Sequence, residues 1–143
     1  MATVELRFSA LPEHVRTARL VAAAVARRAG VDEGVLDEVR LAVGEACSRA
    51  VGLHVSNGLQ TPVRVTLTED EKTFAIEVAD DAPRAGASGA ATPPGLARDA
   101  AEDSGELGLA VISGLVDDVE VLSDAEGGRI VMRWPVTPES VLP

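Results

Sequence analysis

The sequence predicts an α+β fold, a two-layer sandwich in which helices cover one face of a mixed, mostly antiparallel sheet. Two observations predict it. Apolar and polar residues alternate in two pairs of segments, each pair joined by a short turn, so both pairs read as hairpins. Ahead of them stand two consecutive stretches with apolar residues at helical spacing. Helices and strands therefore come in runs, which favours a sandwich over a doubly wound sheet. At 143 residues the chain is one domain, 1–143, with length for a single substantial core.

The elements follow in order. Val4–Ala10 alternates and reads as a half-buried strand. Pro12 falls where helices begin, and Val15, Ala18, Ala22, Val25 and Ala29 recur at helical spacing up to a stop at Gly30. A second helix starts near Asp32 or Glu33 and runs to about His54. After a turn-rich segment, Val63–Thr68 and Thr73–Ala79 form the first hairpin. Residues 82–104 are poor in large apolar side chains and rich in Gly, Pro and Ala, which predicts a lid-like loop. A short helix, Leu107–Val116, then leads to the second hairpin, 118–123 with 129–134, and residues 135–143 are a tail.

Composition narrows the function classes. The formal charge of −10 disfavours nucleic acid, whose binding depends on a basic surface, and disfavours anionic lipid. An acidic protein can still bind a basic protein partner. Lys72 is the only lysine, which leaves little scope for a lysine phosphate clamp or Schiff base. Cys47 is the only cysteine, so neither an intrachain disulfide nor a zinc cluster is expected, and a small buried side chain is the expected role. The start of the chain shows no basic-then-apolar leader, and Leu20–Ala26 is too short to span a bilayer. A cytoplasmic protein is expected.

The chemistry concentrates on the second helix. Glu45 and Arg49 lie four residues apart and share a helix face. The strand ending in Asp80-Asp81 and the segment Ser104-Gly-Glu-Leu-Gly-Leu-Ala-Val-Ile112 complete the set. Val43-Gly-Glu-Ala-Cys-Ser-Arg-Ala50, Gly108–Val121 and Gly127–Arg133, in that order, carry a resemblance to the anti-sigma-factor serine kinases of the GHKL (Bergerat-fold) ATPase superfamily. The resemblance runs from the first strand to Trp134.

By that resemblance Glu45 matches the general base that acts on a serine of an antagonist protein, here expected to be vestigial. Asp80 matches the carboxylate that reads the adenine amino group. Arg49 matches the asparagine that ligates Mg²⁺, and a guanidinium has no lone pair for a cation. The Gly-x-Gly expected after the adenine-reading acid is missing, since the sequence there runs Asp80-Asp81-Ala82-Pro83-Arg84 with neither glycine. Gly105 and Gly108 are spaced one residue wider than the family's second Gly-x-Gly, though they match glycines that offer amides to phosphate. The nucleotide-binding candidates are thus Arg49, Asp80, Asp81, Gly105 and Gly108, with no metal ligand among them. Arg19 matches an arginine used for partner contact, and Arg16 lies beside it.

Plainer readings stand next to these. Glu45 and Arg49 form an i, i+4 ion pair, or Arg49 itself meets phosphate. Asp80 and Asp81 cap a solvated strand end, and the two glycines shape a turn into the last helix. His54 answers its helix dipole, and Trp134 caps the core. Arg84 and Arg98 are solvated loop arginines.

The expected function is an anti-sigma-factor-like regulator that binds a sigma factor, a STAS-domain anti-anti-sigma protein, or both, with kinase activity lost or impaired. The alternatives are an ATP-dependent serine kinase acting on a STAS-domain antagonist, or a nucleotide-binding module without catalysis. ATP or ADP would bind weakly or not at all, and Mg²⁺ is not expected through the usual ligand. A homodimer is implied by the resemblance alone.

Overall fold

In the computed structural model, the described residues are 2–83 and 100–136. Five strands and three helices occur among them: β1 (Ala2–Phe8), α1 (Pro12–Ala29), α2 (Leu36–Ser56), β2 (Val63–Glu69), β3 (Thr73–Asp80), α3 (Ala100–Leu115), β4 (Asp118–Asp124) and β5 (Gly127–Pro135). The sheet order is β1-β2-β3-β5-β4. Every neighbouring pair is antiparallel, so the sheet is not mixed as expected. The crossover through α3 sets β4 at the edge. Its hairpin partner β5 then returns beside β3 in the opposite direction.

α1 starts on Pro12 at its first position, with Glu13 in the first turn and Arg27 and Arg28 in the last. Gly30 ends it at φ 102°, where its amide reaches back to the carbonyls of Ala26 and Arg27. A single 3-10 turn at Glu33–Val35, capped by the Asp32 carboxylate at 3.1 Å from the Gly34 amide, leads into α2. Gly44 and Gly52 each weaken α2 by about 1 kcal/mol relative to Ala. Ten buried residues along α2 outweigh that, since burying one Val or Leu side chain contributes about 1.5–3 kcal/mol.

The core lies between the helices and one face of the sheet. Val63, Val65, Leu67, Phe74, Ile76, Val78, Ile130 and Met132 point at Ala18, Ala22, Ala26, Val39, Val43 and Cys47. Small alanines let α1 approach the layer below. Trp134 closes the core as expected: it is 3% exposed, packs against Phe74 with ring centroids 6.3 Å apart, and donates its indole N–H to Glu38 Oε2 at 3.0 Å.

The opposite sheet face carries charge. Arg133 bonds Asp118 and Glu120, both at 3.1 Å, and Arg64 bonds Asp81. No described helix is long and apolar enough to cross a membrane.

α3 departs most from expectation. It begins at Ala100, seven residues before the expected start at Leu107, because Ala100-Ala-Glu-Asp103 favours a helical first turn and Gly105 does not break it. Of the lid-like loop 82–104, residues 84–99, with Arg84 and Arg98, lie outside the described residues. The tail begins within the fold, since Pro135 ends β5 and the Val136 amide donates to the Lys72 carbonyl at 3.0 Å. Residues 137–143 lie outside the described residues.

Candidate functional site

α2 is the spine of the site, with α1 on one side and α3 on the other. At its midpoint Gly44 and Glu45 face these two neighbours. A Cβ on Gly44 would stand 2.7 Å from Arg19 Cδ, so the Arg19 side chain lies directly across the glycine. A Cβ on Gly108 would meet Glu45 Oε1 at 3.5 Å, so buried Gly108 of α3 packs on that carboxylate. The structure therefore joins three candidates found separately in the sequence, Arg19, Glu45 and Gly108, across three helices.

The expected i, i+4 pairing is not the contact recorded for the Glu45 carboxylate, which lies against Gly108. Glu45 Oε1 turns toward Gly108, while Arg49 is half-buried and has an interaction of its own. The residues present do not fit a magnesium ion by the family's ligand. Arg49 offers only donors.

Gly105 and Gly108 fall in the second and third turns of α3, not at its start. Amides beyond the first four positions are bonded to the preceding turn. The expectation that these two present free N–H groups to phosphate at a helix start is corrected accordingly. Gly108 instead faces Glu45, where a Cβ would stand at ordinary contact distance from the carboxylate.

Asp80 and Asp81 part company. Asp80 is 4% exposed and, in register with Gly128 and alternating with Val78, faces the helix-covered side. Its Oδ1 accepts the Ala82 amide at 3.0 Å. Asp81 turns to the open face, where its carboxylate meets the Arg64 guanidinium at 2.6 Å. There it borders an open groove of about 620 Å³ that also includes Asp124, Gly127 and Arg129. Neither acid is the freely solvated strand end considered for it. Ala82, standing where the family has glycine, is fully buried.

His54 carries more than the sequence reading assigned. It is completely buried, with Nδ1 2.9 Å from the Thr61 carbonyl and Nε2 2.9 Å from the Asp81 amide. The expected role at the helix dipole is replaced by a bridge between segments. Spacing to acids or cysteines gave no signal for it, because its partners are backbone groups. Cys47 is buried as expected, and desolvation pushes its thiol up to about 12, so it is protonated at neutral pH.

Arg16 is exposed on α1 beside Arg19. Large apolar residues accompany them at the surface: Leu20 is 57% and Leu41 55% exposed. Toward the other end of the same helix pair, Pro12, Val15, Ser48, Val51, Gly52 and Val55 line a groove of about 430 Å³.

A family model described as a histidine kinase-like ATPase domain matches residues 8–134. Among solved structures, the RsbU and RsbW domains of Rv1364c from Mycobacterium tuberculosis match with a TM-score of 0.68 and 14% identity. That match covers 95% of this chain and 32% of the other, so the present chain spans about a third of that structure's length. No curated protein matches the sequence.

Proposed function

The chain belongs to the histidine kinase-like ATPase domain family, and on that premise we propose an RsbW-like, anti-sigma-factor-like regulator whose phosphotransfer chemistry is lost. It binds a sigma factor, a STAS-domain anti-anti-sigma protein, or both, through the outer face of α1 and α2. One observation carries this reading: Arg19 is laid over Gly44, beside Glu45, with exposed Leu20 next to it and exposed Leu41 one turn before Gly44. An arginine held among exposed apolar side chains has the composition of an interface hot spot. The groove between Pro12 and Val55 extends the same face.

Loss of phosphotransfer follows from the nucleotide side. Glu45 has the chemistry of a general base, but a base accelerates transfer only onto a phosphate that is positioned and charge-neutralised. Arg49 cannot hold the metal that does this in the family. Buried Ala82 and the helical setting of Gly105 remove the flexible glycine backbone on either side.

A second reading, adenine-nucleotide binding without transfer, is favoured by Asp80. That carboxylate is buried at the end of β3 and faces the helices.

Two measurements test the proposal. Titration against sigma factors and STAS-domain proteins of the same organism should give a complex that Arg19→Ala weakens at least tenfold. Incubation of the STAS-domain partner with ATP and either Mg²⁺ or Mn²⁺ should give no phosphoserine over hours. Transfer that Glu45→Ala abolishes would overturn the loss of chemistry.

A further inference from the structure

We infer that His54 is a positioning residue for the Asp80 carboxylate, an inference that deepens and rests on the adenine-nucleotide reading of the site. His54 lies in the last turn of α2, nine residues after Glu45, and is wholly buried. An amide N–H only donates, so the 2.9 Å contact with the Asp81 amide makes Nε2 the acceptor. The proton then sits on Nδ1, which donates to the Thr61 carbonyl at 2.9 Å. One rigid ring thus ties α2 to the loop before β2 and to the first residue after β3.

The consequence falls on Asp80. With the Asp81 amide held by His54, the next amide, Ala82, is held by Asp80 Oδ1 at 3.0 Å. Two successive N–H groups are captured where the sheet ladder ends, which sets the turn of the chain and the orientation of the carboxylate within it. From the other side Gly127 presses on the Asp80 carbonyl, since a Cβ there would lie 2.1 Å from that oxygen. An acceptor and a donor on opposite edges of one planar side chain are what this position needs. Neutral His places the two on one rigid ring, and Asn or Gln supplies both on a more flexible side chain.

The same helix therefore bears Glu45 near its middle and, at its end, the group that sets Asp80. His54 acts through Asp81 and Ala82.

The test compares wild type, His54→Gln and His54→Ala. Ring ¹⁵N shifts of the wild type should show a single proton on Nδ1; a proton on Nε2 overturns the inference. His54→Ala should raise amide exchange at Asp81 and Ala82 at least tenfold relative to β5, with His54→Gln restoring most of the protection. A rise spread evenly over the chain marks a merely structural histidine and overturns it. Titration with ADP and GDP, both without metal, supplies the functional readout. Preference for ADP should fall about tenfold in His54→Ala and recover in His54→Gln; an unchanged preference overturns positioning. If the wild type itself binds neither nucleotide, the adenine reading fails, and the exchange and ¹⁵N results still decide whether His54 sets Asp80. If His54→Ala does not fold, the wild-type tautomer and the exchange pattern of His54→Gln decide it.

Discussion

Arg19 of α1 lies across Gly44 of α2, with its Cδ where a side chain on Gly44 would have to begin. The helices are packed at that point through an arginine and a glycine, and the residue after the glycine is Glu45. A partner that engages Arg19 is therefore one residue from Glu45.

Gly44→Ala tests this contact. The new methyl would displace Arg19, while helix propensity would gain up to about 1 kcal/mol. The variant should keep or slightly raise the wild-type Tm, and its affinity for the protein partner should fall toward that of Arg19→Ala. Calorimetry on the two variants checks both halves, and full affinity with a displaced arginine would detach Arg19 from the interface.

Arg49→Asn restores an oxygen ligand where a guanidinium now stands. ATP binding should become dependent on Mg²⁺, with affinity at 5 mM Mg²⁺ (roughly the level that saturates Mg·ATP) at least tenfold above that in EDTA. Wild type should show no such metal dependence. Titration with and without EDTA reads the difference.

Gly127→Ala places a methyl against the Asp80 carbonyl at a backbone φ of 152°, which only glycine adopts without strain. The clash is with backbone, so the end of β3 must shift. A loss of about 2–4 kcal/mol is expected, combining conformational strain with disrupted packing. Chemical denaturation measures it, and a loss under about 0.5 kcal/mol would remove the close approach from the account.

Cys47 makes stability fall at alkaline pH. Its folded thiol sits near 12 because burial disfavours the thiolate, against an ordinary value of 9.0. Above pH 9 the unfolded chain loses this proton and the folded chain keeps it. The thiol's contribution is thus whole below pH 9 and is lost as pH rises toward 12, at up to about 1.4 kcal/mol per pH unit. Denaturation of wild type and Cys47→Ala at pH 8 and pH 10.5 should show wild type losing about 2 kcal/mol relative to the variant. The native thiol should also resist alkylation at pH 8.

Periodicity was enough to read β1, α1, α2 and both hairpins to within a few residues, because each buries one face and its apolar spacing records which. The start of α3 escaped because glycine is a weak breaker. Gly105 looked like a boundary, yet the helix-favouring residues before it carry the turn through. Which residues would be candidates was also legible, since Glu45, Arg49 and Asp80 stand at motif spacings. How they are used was not. Glu45 and Arg49 share a helix face, but the contact of Glu45 with Gly108 depends on a third helix.

The sequence by itself determined the α+β class, the hairpins and the family, all of which rest on residue type and local spacing. The tertiary structure alone decided that Asp80 is covered while Asp81 meets Arg64, that Arg19 and Gly108 flank the Gly44–Glu45 step, and that His54 bonds two backbone groups from distant segments. Local spacing specifies a side chain's position around its own helix or strand. Which backbone amide or carbonyl comes to meet it depends on packing between elements, and hydrogen bonds to backbone leave no trace in residue identity.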